Sequence, residues 1–164
     1  MMTEEIKRIH KNISGVYDGK PWYGDNVLSY LFGVSAEMAA KKPEKLNHSI
    51  AEIVCHMTAW RYFVIEKMKG NAAYEVWDTE LNWQRIVSLT EAEWQGIKDG
   101  LLKSQTQLLA QIEQMPESML TAPVDGRKYN FRLMLQGIVQ HDIYHAGQIS
   151  MIRKLVSCNG IGNT

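Results

Sequence analysis

Residues 131–157 read F-R-L-M-L-Q-G-I-V-Q-H-D-I-Y-H-A-G-Q-I-S-M-I-R-K-L-V-S. Phe131, Leu135, Ile138, Val139, Ile149, Ile152 and Leu155 recur at helical spacing. The stretch therefore reads as one long helix with an apolar stripe, opened by Asn130 as its cap. His141 and His145 interrupt that helix, where an unpaired imidazole is costly to bury. Four residues make about one helical turn, so both rings leave one face within reach of a single ion. Neutral imidazoles suit zinc, nickel, copper or iron, but two ligands alone make a weak site. A third must come from another helix. His56, flanked by Ile53, Met57 and Trp60, is the candidate.

The same helical spacing runs through the rest of the chain. Ile6, Ile9, Ile13 and Val16 follow Thr3-Glu4-Glu5, a cap with an acidic first turn, and mark a first helix over about 4–17. Turn residues around Trp22 and Tyr23 break it at 18–24. Asp25 is then read as the cap of one short helix, and Ser35 as the cap of another through Ala40. Ser49 or Asn47 opens a long helix to about Lys69, stopped at Gly70-Asn71, with Ile50, Ile53, Val54, Met57, Trp60, Val64 and Ile65 inward. A less regular stretch rich in Trp and Tyr runs through Trp83. Thr90-Glu91-Ala92-Glu93 is a capping box that opens a third long helix to about Met115, its apolar face Leu101, Leu102, Leu108, Leu109 and Ile112. Pro116, Pro123 and Asp125-Gly126 make residues 116–130 an irregular connection. The expectation is an all-α chain, one domain over 1–164, built as a four-helix bundle with short extra helices in the connections.

Composition narrows the function. The 164 residues are 45% hydrophobic and 22% charged, with Lys plus Arg equal to Asp plus Glu at 18 each. No dense basic run favours nucleic acid or an anionic membrane as partner. The N-terminal stretch lacks an apolar signal core, and no apolar run reaches about 18 residues, so the expectation is a cytoplasmic protein without a membrane span. Cys55 and Cys158 do not form a disulfide framework. Cys55 reads as a small core residue and Cys158 as an incidental thiol.

Three histidines from two facing helices would form an open site with room for water or a small-molecule substrate, the arrangement of a reactive metal rather than a sealed structural one. His48 lies eight residues before His56, about 12 Å along a continuous helix, so the two cannot share an ion. His10 falls off its apolar stripe and reads as a surface residue. Gln148 shares the face of His141 and His145 and could hold a water, a substrate or a neighbouring helix. Glu52, one turn before His56, is read as a structural residue before a ligand. Asp142 points about 100° away from His141, which favours orienting a ligand or bonding a neighbouring helix. In H-D-x-x-H an Asp replaces the general-base Glu of the zinc-protease motif, and no third ligand follows, which argues against a protease.

Four pieces of the chain resemble the DinB-like (DinB/YfiT) superfamily of bacterial four-helix bundles: Y-D-G-K-P-W-Y-G-D, L-F-G-V-S-A-E-M-A-A, N-H-S-I-A-E-I-V-C-H-M-T-A-W and G-I-V-Q-H-D-I-Y-H-A-G-Q-I. The last two carry most of the specificity. The resemblance implies up-down-down-up topology, homodimers packed through helix faces, and a divalent metal, zinc or nickel, held here by His56, His141 and His145. Similar proteins include thiol-dependent S-transferases and isomerases that use a low-molecular-weight thiol such as bacillithiol, mycothiol or glutathione as co-substrate. Close relatives often carry a histidine after the loop tryptophan, where this chain has Tyr23. The leading expectation is a metal-dependent enzyme that activates a thiol or water, with Tyr23, Gln148 or Tyr144 positioning the electrophile or moving a proton. The rivals are metal-assisted hydrolysis, a non-catalytic metal or small-ligand binding protein linked to stress responses, and a purely helical interaction protein.

Overall fold

A computed structural model describes residues 2–158, apart from the side chain of Cys158, so the expectation for that thiol falls outside the described residues. Every regular element among them is helical, and a single β-bridge joins Pro123 and Asn130. The helices are α1 (Glu4–Tyr17), α2 (Val27–Leu31), α3 (Ala36–Ala40), α4 (Ile50–Met68), α5 (Glu91–Gln114) and α6 (Phe131–Cys158). A 3-10 turn at Glu117–Thr121 precedes α6.

Local chemistry sets most of these ends. Thr3 and Ser35 accept from backbone N–H groups three residues on. Ser49 and Thr90 do the same within complete capping boxes, paired with Glu52 and Glu93. Asn130 Oδ1 accepts from Leu133 N at the head of α6. The expected cap of α2 shifts by one: Asn26, not Asp25, accepts from Ser29 N, and its amide also donates to Gly19 O at 2.7 Å. The chain turns tightly there, since a Cβ on residue 19 would lie 2.7 Å from Gly15 Cα. Gly70 ends α4 with φ 82°, a left-handed conformation that glycine adopts without strain.

Helices α1 and α4 each pack against both α5 and α6. Pairings along them fix their relative levels. His10 meets Glu113, and Gln105 donates to Ile13 O between α1 and α5. Glu5 pairs with Arg132 between α1 and α6. Arg61 on α4 reaches both Gln105 on α5 and Asp142 on α6.

The interior is divided into two apolar clusters. Ile50, Ile53, Val54 and Met57 pack with Trp94, Leu101, Ile149 and Ile152 in one. Phe63, Val64 and Ile65 pack with Leu108, Ile112, Leu135 and Ile138 in the other. Between these two sets in each helix fall Arg61 of α4, Ser104 and Gln105 of α5, and Asp142 and His145 of α6, with His56 one residue before Met57 at the edge of the first set, all buried. A polar layer thus crosses the middle of an apolar interior, and its burial is offset by hydrogen bonds: Arg61 to Gln105 and Asp142, Ser104 to Leu101 O, His56 to Asn82 O and His145 to Gln148. Two expected core residues are misplaced: Leu102 and Leu155 are exposed, and Val156 is buried where Leu155 was expected. Both sit at the margin of their stripe, where a one-residue shift rotates a side chain by about 100°. No helix among the described residues is long and apolar enough to cross a membrane.

Candidate metal centre

His56 on α4 and His141 and His145 on α6 come together. His56 Nε2 lies 3.0 Å from His141 Nε2, and His145 Nε2 lies 3.2 Å from the same atom. The three ligand atoms all fall within 4.8 Å of one another. Their second nitrogens reveal how each ring is set. The carbonyl of Asn82 can only accept, so His56 Nδ1, at 2.7 Å, must carry the proton. His145 Nδ1 likewise donates to Gln148 Oε1 at 2.7 Å. Both rings therefore turn a bare Nε2 lone pair toward His141.

This arrangement is incomplete as a hydrogen-bonded cluster. His141 Nε2 can carry at most one proton, so at most one of the two N···N contacts is a hydrogen bond. His141 Nδ1 is buried with no partner. Whichever tautomer His141 adopts, a lone pair or an N–H is left unsatisfied. A cation at the point of convergence removes the conflict at Nε2, because it accepts lone pairs from all three rings and leaves the His141 proton on Nδ1. Tetrahedral Zn–N bonds of about 2.0–2.1 Å imply N···N separations near 3.3 Å, close to the 3.0 and 3.2 Å from His141 to its two neighbours. The residues fit a divalent metal ion.

Electrostatics agree with neutral ligands. Burial pushes the His141 ring down to about 2, helped by His145, His56 and Arg61. Burial brings His145 down to about 4, against the bond to Gln148. His56 is lowered mainly by burial, with its bond to Asn82 opposing. All three are uncharged at neutral pH, the state a metal requires.

The surroundings hold these rings in place. Trp83 stacks on His56 at 3.8 Å and 8°, and on its other neighbour His48 at 3.6 Å and 10°. Asn82 ties the loop that presents Trp83: its side chain accepts from Trp60 Nε1 and donates to Trp77 O. Glu52 fastens the same connection, accepting from Ile86 N at 3.0 Å and from Ser49 N at 3.1 Å. Its carboxylate is thereby committed to structure and is not a ligand. Asp142 bonds a neighbouring helix, accepting from Arg61 Nη2 at 2.7 Å with both side chains buried. Burial raises the Asp142 carboxyl to about 6, against the pull of the guanidinium.

The remaining candidates fall into place unevenly. Gln148 orients His145 and also lines a smaller cleft of about 330 Å³ with Lys45, Asn47 and His48. Tyr144 packs edge-on against His145, with centroids 5.0 Å apart. Tyr23 lines neither this cleft nor the larger cavity, and Trp22 beside it is 96% exposed. His10 faces Glu113 at 3.1 Å, away from the site. Cys55 is a free thiol pushed up to about 11 by burial, which leaves it unreactive at neutral pH.

The three histidines form part of the wall of a cavity of about 720 Å³, which also includes Trp60, Trp77, Tyr129 and Tyr144. Spacing arguments did not reveal Asn82 or Trp83, which lie in an irregular connection. Nor did they reveal Arg61, whose full burial cannot be read from a charged residue.

The fold and site define an all-helical protein with a three-histidine group able to hold a divalent metal, open on one side to a cavity. The family model of the DinB superfamily matches residues 24–149, and the chain belongs to that superfamily. Neither the curated proteins nor the solved structures gave a significant match.

Proposed function

We propose that the chain is a divalent-metal-dependent enzyme that activates a thiol or a water at His56, His141 and His145, acting as a thiol S-transferase. The observation that carries this reading is the convergence of three Nε2 atoms, two with their Nδ1 protons already committed to Asn82 and Gln148. Ligand rings oriented in this way bind metal in the neutral form without first losing a proton. A zinc or nickel ion held there supplies Lewis acidity, which lowers the pKa of a water or thiol that reaches it.

The chain's own groups divide the remaining work. Trp83 and Asn82 keep His56 from rotating. Gln148 does the same for His145. Tyr144, largely exposed beside His145, is the hydroxyl best placed to meet a substrate in the cavity. Tyr23, on the loop after α1, would act only if that loop approached the site.

The same proposal includes an up-down-down-up four-helix bundle formed by α1, α4, α5 and α6 as a single domain. The pairings His10–Glu113 and Gln105–Ile13 support α1 and α5 running antiparallel. Arg61 reaching Gln105 and Asp142 at one level supports the placement of α4 between α5 and α6. It also includes a cytoplasmic homodimer acting on a small molecule, with neither nucleic acid nor membrane as partner. Exposed Phe32 and Trp22 are available for the dimer contact.

A second reading, a non-catalytic metal or small-ligand binding protein, is favoured by one feature. The cavity wall contains no carboxylate or amine that could serve as general acid or base. Metal-loaded protein assayed with glutathione or bacillithiol and a model electrophile separates the two. Turnover that disappears in His141→Ala supports the enzyme. Tight metal retention without turnover supports the binding protein, and turnover unchanged by His141→Ala removes the first proposal. Hydrolysis of an activated ester by the same protein without thiol would shift the reading to a metal-assisted hydrolase.

A further inference from the structure

None of the residues lining the 720 Å³ cavity is Lys, Arg, Asp or Glu. Six aromatic rings surround it instead: Trp60, Phe63, Trp77, Trp83, Tyr129 and Tyr144. Trp77 and Tyr144 remain 66% and 64% exposed, so core packing does not account for their position. Two side-chain amides belong to the wall: that of Asn82 is already bonded to Trp60 and Trp77, and that of Gln140 is exposed to solvent. The imidazoles are therefore the main polar groups of an uncharged, largely aromatic wall, beside Gln140 and the hydroxyls of Tyr129 and Tyr144.

Gly137 adds a second and independent sign. It lies inside α6, two turns from its start and one turn before His141, where glycine costs a helix roughly 0.5–1 kcal/mol relative to alanine. A Cβ there would meet nothing within 4 Å, and Gly137 itself lines the cavity. Neither a turn nor a close backbone contact calls for a glycine at this position. Its effect is to leave space open beside the histidines.

We infer that this cavity binds an uncharged aromatic small molecule, its ring body between the aromatic walls and a single polar substituent at the histidines. The inference deepens the proposed function and rests on the histidine cluster being the reactive centre. The volume lies within the range of cavities that enclose such ligands. Away from the histidines, where a bound cation would be the one counter-charge, a charge carried into this wall would lose its hydration with no partner in return, whereas an uncharged ring is stabilised by the area it buries.

The test uses two probes that differ by one charged group, with the whole chain in chelator, so that no cation pairs with the charge. N-phenyl-1-naphthylamine is uncharged, and 8-anilino-1-naphthalenesulfonate is its sulfonated counterpart. Fluorescence titration is expected to show the uncharged probe binding at least about tenfold more tightly, equivalent to about 1.4 kcal/mol. Gly137→Leu, which fills the open space while leaving the histidines in place, is expected to weaken that probe by about tenfold or more, with metal content in the absence of chelator unchanged. Leu133→Glu, at an exposed position of the same wall, tests the charge rule in a variant that keeps the buried core, and a similar loss is expected. Equal or tighter binding of the sulfonate, or binding unaffected by both variants, overturns the inference. His141→Ala separates this inference from the function on which it rests. Loss of metal with naphthylamine binding retained leaves the cavity assignment standing, and a failure of metal binding in the wild type counts against the proposed chemistry alone.

Discussion

The Nδ1 proton of His56 goes to the backbone carbonyl of Asn82, 26 residues further along the chain. An α4 ring is thus oriented by a loop, and that loop is held in turn by the Asn82 side chain through Trp60 and Trp77. Asn82→Ala keeps the carbonyl but releases its two anchors. Metal affinity is expected to fall about tenfold, the lower end of the usual effect of groups behind a ligand, with helical content preserved. Competition with a chromogenic chelator measures this. An unaltered affinity would mean that the loop does not set the His56 ring.

Arg61 and Asp142 form the buried ion pair of the polar layer. Asp142→Ala leaves a guanidinium without its counter-charge and is expected to cost about 3–5 kcal/mol in denaturant unfolding. The double variant Arg61→Met with Asp142→Leu replaces two charges by apolar volume and is expected to recover more than half of that loss. If the single variant costs under about 1 kcal/mol, the pair is not isolated from water as the structure has it.

Most helix boundaries were readable because their causes are local. Thr3, Ser35, Ser49, Thr90 and Asn130 each bond a backbone N–H three residues away, and such signals need no tertiary context. Leu102 and Leu155 were misread because a stripe's margin is decided by the neighbouring helix, not by spacing. His56 could be picked out as the partner of His141 and His145 from its apolar flanks. Asn82 and Trp83 could not, since their roles arise from a connection folding back on α4 with no period of its own. Arg61 reads as a surface residue until Asp142 and Gln105 are seen to meet it.

Acid is expected to destabilise the metal-free protein through its histidines. Unfolded histidine titrates near 6.5, whereas His145 is held down to about 4 and His141 to about 2. Between these values the unfolded chain binds more protons than the folded one, so stability falls as pH drops below 6.5. Asp142, raised to about 6, works in the opposite sense between about 4 and 6, but one carboxyl opposes two imidazoles. Melting temperature in chelator is expected to decline from pH 6.5 to 4.5, with a shallower slope in His141→Gln. Identical slopes for the two proteins would show that His141 is already charged, or solvated, in the fold.

Metal removal tests the centre as a whole. An ion that binds only the folded state at 100 times its dissociation constant adds about 2.7 kcal/mol. For a chain of this size that corresponds to a rise in melting temperature of roughly 5–10 °C. Zinc or nickel is expected to produce that rise in the wild type, and chelator to reverse it. His56→Ala, His141→Ala and His145→Ala should each abolish the response, because two imidazoles hold an ion far more weakly than three. His48→Ala should retain it, since His48 touches the centre only through Trp83. Calorimetry of the five proteins with and without metal decides the matter. A wild type whose melting ignores both zinc and nickel would mean that the converging Nε2 atoms are satisfied by water and not by an ion.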